Sequence, residues 1–549
     1  MTREYKAEKE ASVTDLGGGG IWEINFITLT APVAAFLWAV LQSRQSFFKP
    51  YTIPAYITDF LLQCCSILFA TTTYSSSPQS LIGLLLLPAL ASFLQPRPAS
   101  VKPAKPVKVD DEPKPKSSLP IRPFITAYRG AMMIITCISI LAVDFKVFPR
   151  RFAKTESFGT SLMDMGVGSF VFASGIVAAR QQLREQSSGT SKGFVARMRS
   201  ALRHSIPLAV LGLVRLGMVK GLDYAEHVSE YGVHWNFFFT LALLSPVMAV
   251  LDPILRWVPS YGILAFVIAI GYELWLFMTP LKAYIILSDR IEGDWLSQNR
   301  EGVYSFIGYL AIFIAGIGAG QGILPRDIDS NNPFQLPKIP EKKAVKKNDF
   351  DEIDEDDAWL ASVLGGDAPP EASPEVQERA RKRAQEIMAI EPPQLRPDWP
   401  KTAFFHLVKW TGLWFVFSVW AMWHYGPRLF VSRRMANLAY VCWVCCFNSA
   451  QLLLFSGTEA IMFPNLYEGR DDEDERERAK DATSKVLNAF NRNGLALFLL
   501  ANLLTGAINL VLETWHLDDL PAMAVLIAYI AAIAAVGMLL DRYNISIKL

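Results

Sequence analysis

The chain has 549 residues, of which 51% are hydrophobic, a mean hydropathy of +0.24, and 53 Lys and Arg against 52 Asp and Glu, giving a formal net charge of +1. Its apolar residues gather in blocks of about twenty, which excludes a soluble globular domain and points to helices that cross a bilayer. The near-zero charge is segregated into the segments between blocks and implies neither nucleic acid nor an acidic soluble partner.

The first twenty residues are polar and end in Gly17-Gly18-Gly19-Gly20. They lack the apolar core of a removable signal peptide, so the first span is expected to act as the targeting signal. Spans are expected over 24–42, 54–73 and 81–94, the third short, in an amino-terminal unit 1–95. A linker, 96–123, is rich in Pro and Lys and is expected to be extended and disordered. Six spans over 124–143, 158–179, 201–219, 234–251, 261–286 and 304–324 make up an expected catalytic core, 124–325. A charged insertion follows at 326–400, with an acidic run at 349–357 and a short helix expected at 374–390. The last unit, 401–549, holds spans over 403–424, 435–455, 490–512 and 520–540. A surface helix over 468–485 is expected to run on into the third of these. The fold class is therefore all-α, a polytopic bundle of about 13 transmembrane helices.

The six cysteines, Cys64, Cys65, Cys137, Cys442, Cys445 and Cys446, all fall inside spans. Without His or acidic neighbours they read as packing residues, and no metal site is expected.

Between the fourth and fifth spans lies a charged island, Leu141-Ala-Val-Asp144-Phe-Lys146-Val-Phe-Pro149-Arg150-Arg151-Phe-Ala-Lys154. A carboxylate and several cations at a membrane boundary are costly to desolvate, so they require a partner or a polyanionic ligand. Pro149 ends any continuing helix and turns the chain, which would let Lys154 fold back toward Asp144. Two readings fit these residues: a structural ion pair among snorkelling cations, or a catalytic centre.

Alternate short loops through the eighth junction carry about sixteen Lys and Arg on one side and about seven on the other. The richer side is expected to be cytoplasmic, which puts the amino terminus in the lumen and the carboxyl terminus in the cytoplasm. The island then stands on the lumenal side, against the positive-inside bias, as a functional cluster would. The sequon Asn544-Ile-Ser546 is expected to be cytoplasmic and unglycosylated.

Other polar residues sit within or beside spans. Asp164 needs a partner, for which Arg129 is the expected residue. Arg215, Lys220, Asp223, His234 and Asn236, and Asn488, Asn491, Asn493, Asn502 and Asn509, each suit an interhelical hydrogen bond, and their number suggests a polar interior cavity. Gly166 and Gly168 suit close helix packing.

Three runs carry a resemblance: Thr126-Ala-Tyr-Arg129-Gly; the island from Ile140 to Lys154; and Gly159-Thr-Ser-Leu-Met-Asp164-Met-Gly-Val-Gly168. With Asn25, Arg215 to Tyr224, His234-Trp-Asn236 and Asn488-Ala-Phe-Asn491-Arg-Asn493-Gly, they resemble the family of glucosaminyl-phosphatidylinositol inositol acyltransferases, whose fungal members are the GPI-anchored wall transfer proteins. The resemblance spans the membrane part and leaves out the two charged linkers. It implies transfer of a palmitoyl group from acyl-CoA to the inositol ring of glucosaminyl-phosphatidylinositol in the endoplasmic reticulum membrane. It also implies Asp144 as base and Lys154 as the cation on the oxyanion. Both substrates carry phosphate, so Lys146, Arg150 and Arg151 are expected near phosphate, with Arg129 and Arg215 deeper. Asp164, Lys220, His234, Asn236, Asn491 and Asn502 complete the expected substrate-binding set. No cofactor is expected, acyl-CoA being a co-substrate. No Ser/His/Asp set is spaced for an acyl-enzyme, so direct transfer is expected.

Three other classes compete. A lipid or small-molecule transporter or flippase would also bury Asp, Arg and Asn, but no internal repeat is visible. An acyltransferase built on a membrane histidine could use His406 or His424. A scaffold would not need so many interior polar groups.

Overall fold

A computed structural model describes residues 5, 8–9, 11–95, 117–187, 193–221, 230–255, 258, 260–326, 403–424, 431–467, 469 and 471–547, without the side chains of 218–221, 252–255 and 422–424. Most of the Pro/Lys linker, and the charged insertion with its expected helix at 374–390, lie outside these residues. The described chain is helical: α1 (Ile21–Gln45), α2 (Ile53–Thr71), α3 (Pro78–Leu94), α4 (Pro123–Ala142), α5 (Leu162–Ser187), α6 (Phe194–Gly221), α7 (Phe237–Leu255), α8 (Tyr261–Met278), α9 (Leu281–Leu287), α10 (Trp295–Gln298), α11 (Arg300–Ile323), α12 (Ala403–His424), α13 (Leu438–Met462), α14 (Asp472–Asp481), α15 (Lys485–Arg492), α16 (Gly494–Val511) and α17 (Asp519–Arg542).

Every span expected from the sequence is helical over most of its length. Nine of them, α1, α2, α4, α5, α8, α11, α13, α16 and α17, are long and apolar enough to cross a membrane among the described residues. The protein is thus a multi-pass membrane protein. The apolar stretches of α3 and α7 are shorter, and α6 and α12 are long helices outside that group.

Three of the boundaries that differ from expectation have a local reason. The span expected over 261–286 breaks at Thr279-Pro280, because proline has no N–H to continue the ladder, and α9 restarts after Pro280. The surface helix expected to run into the span at 490 stops at Asp481. Ser484 then caps α15 by accepting from Leu487 N, and a second break at Asn493 separates α15 from α16. The fifth span begins at Leu162 instead of Phe158 because the preceding residues are extended. Thr160 there donates its hydroxyl to Gly19 O at 2.7 Å and accepts the Gly19 N–H at 2.7 Å.

At the centre, α5 and α11 touch backbone to backbone. A Cβ on Gly175 would strike Phe313 O, and one on Gly316 would strike Phe172 O. Small residues give this close approach where dispersion, not water, drives helix association. Gly168 similarly faces Val444 and Tyr440 of α13, whereas Gly166 faces open space. Replacing Gly316 by Val is expected to cost about 1–3 kcal/mol or more by overpacking, read as a lower melting temperature in detergent. The six cysteines are free thiols, Cys446 partly exposed and the rest buried, as packing residues would be.

Polar contacts sort the connecting segments into two ends of the bundle. One end joins Lys49 to Asp481, Arg326 to Glu475 and Arg492 to Asp541. The island, the approach to α1, and the segments before α7, α11 and α13 and after α16 meet at the other.

Candidate active site

Helix α4 ends at Ala142, and Asp144 stands in the turn beyond it, donating its N–H to Leu141 O at 3.0 Å. The turn is held by Arg150, which donates to the carbonyls of Val143, Phe145 and Phe148, each at 2.8 Å. Burial pulls the Arg150 guanidinium down to about 10, with Asp144 opposing. Phe145, Phe148 and Phe152 are fully buried beneath the turn. Arg150 is therefore committed to shaping the loop, and Pro149 starts the short 3-10 turn Arg150–Phe152 that redirects the chain.

Asp144 does not pair with Lys154. Its Oδ1 meets Lys9 Nζ at 3.0 Å, and its Oδ2 accepts from Asn509 Nδ2 at 2.7 Å. Lys154 instead donates to Glu230, with Nζ 2.8 Å from Oε1 and 3.1 Å from Oε2. Burial disfavours the Glu230 charge, but Lys154 and Arg433 prevail and bring its carboxyl down to about 2, with Arg215 adding to the effect. A depressed carboxylate contributes stability that is complete above its unfolded value and lost as pH falls through the folded one. The melting-temperature difference between the wild type and Glu230→Gln is thus expected to be constant above about pH 5 and to shrink only on acidification toward about 2.

Asp164 is also partnered otherwise than expected. Arg433 Nε donates to its Oδ1 at 2.6 Å, while Thr155 donates both its N–H and its hydroxyl to Oδ2, at 3.1 and 2.6 Å. Both residues of the ion pair are buried, at 2% and 0% exposure. Arg129 is far from this pair: it lies 13 residues before the last residue of α4, about 20 Å along the helix, in the half away from the island. A neighbouring cluster centres on buried Glu301, which accepts from Arg290 at 2.7 Å and Arg434 at 2.8 Å.

The other expected residues are spread over the bundle. Lys146 is exposed, with Nζ 5.4 Å from the centre of the Trp515 ring, and Arg151 binds Glu23 at 2.6 Å. Arg215 is exposed on α6, and the side chain of Lys220, like Asp223, lies outside the described residues. His234 lines an apolar cavity of about 350 Å³ with Leu216, Trp235, Phe239 and Trp295, and its Nδ1 is buried without a hydrogen-bond partner. Asn236 is a helix cap: it accepts from Phe238 N and donates to Gly212 O. Asn491 sits in α15, at the end away from the island, and Asn502 donates back to Phe498 O from an exposed position. His406 packs on Gly322 near the start of α12, also away from the island, and the side chain of His424 lies outside the described residues.

Lys9, Glu230, Arg433, Arg434 and Glu301 escaped sequence reasoning. Their signal was present, since each lies in a segment that alternation of spans puts at the island end, but no spacing rule pairs residues hundreds of positions apart. Once the pairs are matched, Lys146, Arg150 and Arg215 have no carboxylate at ion-pair distance among the described residues. Of these, Lys146 and Arg215 are exposed, and an exposed cation is free to meet a phosphate group.

Known proteins share this chain's pattern from end to end. A family model described as GWT1 matches residues 5–540. The chain is 46% identical to the GPI-anchored wall transfer protein 1 of Aspergillus oryzae, with 100% of both chains covered, and 44% identical to that of Gibberella zeae, with 100% and 99% covered. Identity to the Saccharomyces cerevisiae protein of the same name is 37%, with 99% of each chain covered. These are fungal proteins of the kind that the island and its flanking runs resemble. The match takes in the island, the segment that brings Lys9 to it and the helices that frame it, and on that extent the chain belongs to the GWT1 family.

Proposed function

We propose that this protein is an O-acyltransferase of GPI-anchor biosynthesis. It moves a long-chain acyl group, palmitoyl, from acyl-CoA to an inositol hydroxyl of glucosaminyl-phosphatidylinositol. The reaction takes place in the endoplasmic reticulum membrane, with the island end and the amino terminus in the lumen and the carboxyl terminus in the cytoplasm. One observation carries the reading: Asp144 is held by one donor on each carboxylate oxygen. A carboxylate offers about four acceptor positions, so lone pairs remain for a substrate hydroxyl.

In the proposed step, Asp144 takes the hydroxyl proton as the inositol oxygen attacks the thioester carbon. Lys154, anchored by Glu230, offers its remaining N–H to the oxyanion. The carbon–sulfur bond then breaks, and the thiolate of CoA leaves with the proton that Asp144 took up. Lys146 and Arg215 meet phosphate groups. Burying roughly fourteen methylenes from water is worth on the order of 11 kcal/mol, but an acyl tail already in the bilayer gains little of this. Chain-length preference must then come from the shape of a groove between helices.

The test is purified protein in detergent with labelled palmitoyl-CoA and glucosaminyl-phosphatidylinositol. Acylated lipid should form with the wild type and be lost with Asp144→Ala. If the wild type forms none, or Asp144→Ala forms as much, the proposal fails.

A further inference from the structure

The described residues ahead of α1 contact the island's surroundings at two places, around Tyr5 and around Asp15. At one end, Tyr5 is 2% exposed; its hydroxyl accepts from Trp515 N at 3.1 Å and lies 3.3 Å from Thr514 Oγ1. Glu8 adds a contact to His516 at 3.0 Å. At the other end, Asp15 N donates to Glu156 at 3.0 Å, and Glu156 N donates to Leu16 O at 3.2 Å. Gly18 then bridges to Thr160, at a φ of 78° that favours glycine, and a Cβ there would strike Thr160 O.

Between these anchors, Lys9 is placed on Asp144. Its ammonium has three N–H donors, and three acceptors surround it: Asp144 Oδ1 at 3.0 Å, Asn509 Oδ1 at 3.0 Å and Thr514 Oγ1 at 3.4 Å. Asn509 closes the ring by donating to the other oxygen of Asp144. Both oxygens of the carboxylate are thereby fixed, and its torsion is set by two donors that come from opposite ends of the chain. Lys9 has no N–H left for a ligand.

We propose that the described residues ahead of α1 (Tyr5, Glu8, Lys9 and 11–16) act as a strap that delivers Lys9 as a positioning residue for Asp144, aiming the free lone pairs of the carboxylate at the acceptor hydroxyl. The inference rests on Asp144 being the base, as proposed above. It assigns Lys9 to orientation and excludes it from contact with substrate.

The experiment measures kcat and KM for labelled palmitoyl transfer in the full chain for Lys9→Met, Lys9→Arg and Asp144→Asn, together with the melting temperature of each. Lys9→Met is expected to lower kcat about tenfold or more, as loss of fixed orientation does, with KM for both substrates and the melting temperature unchanged. Lys9→Arg, which keeps the donors and the charge, is expected to recover part of the loss. If Lys9→Met keeps the wild-type kcat while Asp144→Asn is inactive, the strap plays no positioning part and the inference falls alone. If Lys9→Met raises KM and leaves kcat unchanged, Lys9 binds substrate and the assignment is overturned. If Asp144→Asn itself stays active, the reading of Asp144 as base falls, and this inference with it.

Discussion

Asp144→Asn is expected to reduce acyl transfer by about 10²–10⁴-fold, the range that a positioned general base supplies, while the protein still folds. The amide is nearly isosteric and can still accept one hydrogen bond, so the turn held by Arg150 is untouched. Lys9 loses its charge partner but keeps Asn509 and Thr514 as acceptors. What disappears is the capacity to take a proton. Lys154→Ala should cost about 10²–10³-fold by removing an oxyanion donor, and Glu230 would then face Arg433 at 3.8 Å. If both groups serve one transition state, as proposed, the double variant should be much less impaired than the product of the single losses. Single-turnover rates with labelled palmitoyl-CoA provide the measurement. Full multiplicativity would mean that Asp144 and Lys154 act on different steps.

Arg433→Met should be the most destabilising single substitution near the site, at about 3–5 kcal/mol. It would strand the Asp164 carboxylate, which is 0% exposed, with only Thr155 as donor on one oxygen. It would also remove a cation from Glu230. Arg433 is held well above its usual range because, although burial disfavours its charge, Glu230 and Asp164 outweigh that penalty. Taking out both partners is a different matter, since an apolar pair of similar volume avoids desolvating two ions. Arg433→Met combined with Asp164→Leu should therefore recover much of the loss in melting temperature, although the N–H and hydroxyl of Thr155 would then lack their acceptor. If the single and double variants melt alike, the pair contributes through packing and not through charge.

How much the sequence disclosed depended on the range of the interaction. Spans were legible because hydropathy over about twenty residues reports the bilayer directly. Breaks such as Thr279-Pro280 were written in local chemistry and were missed only because both sides are equally apolar. Asp144 and Lys154 were legible as charges at a span end, but their partners were not. Pro149 turns the chain as expected, yet nothing nearby in sequence indicates that Lys154 meets Glu230 or that Asp144 meets residues 9 and 509. The sequence offers Arg129 to Asp164 because a buried charge needs a partner. That need is met instead by Arg433, which stands at the correct end of the bundle.

The contact of α5 with α11 through Gly175 and Gly316 also bears on how a lipid reaches the island. Around these glycines a single added methyl would already strike the facing helix, so no lipid chain passes between the two helices there. On the proposed reaction, a lipid acceptor entering from the bilayer would then use one of the other seams, where side chains instead of backbones form the boundary. A bulky residue placed along those other seams would slow exchange of lipid with the bilayer while leaving the chemistry at Asp144 intact.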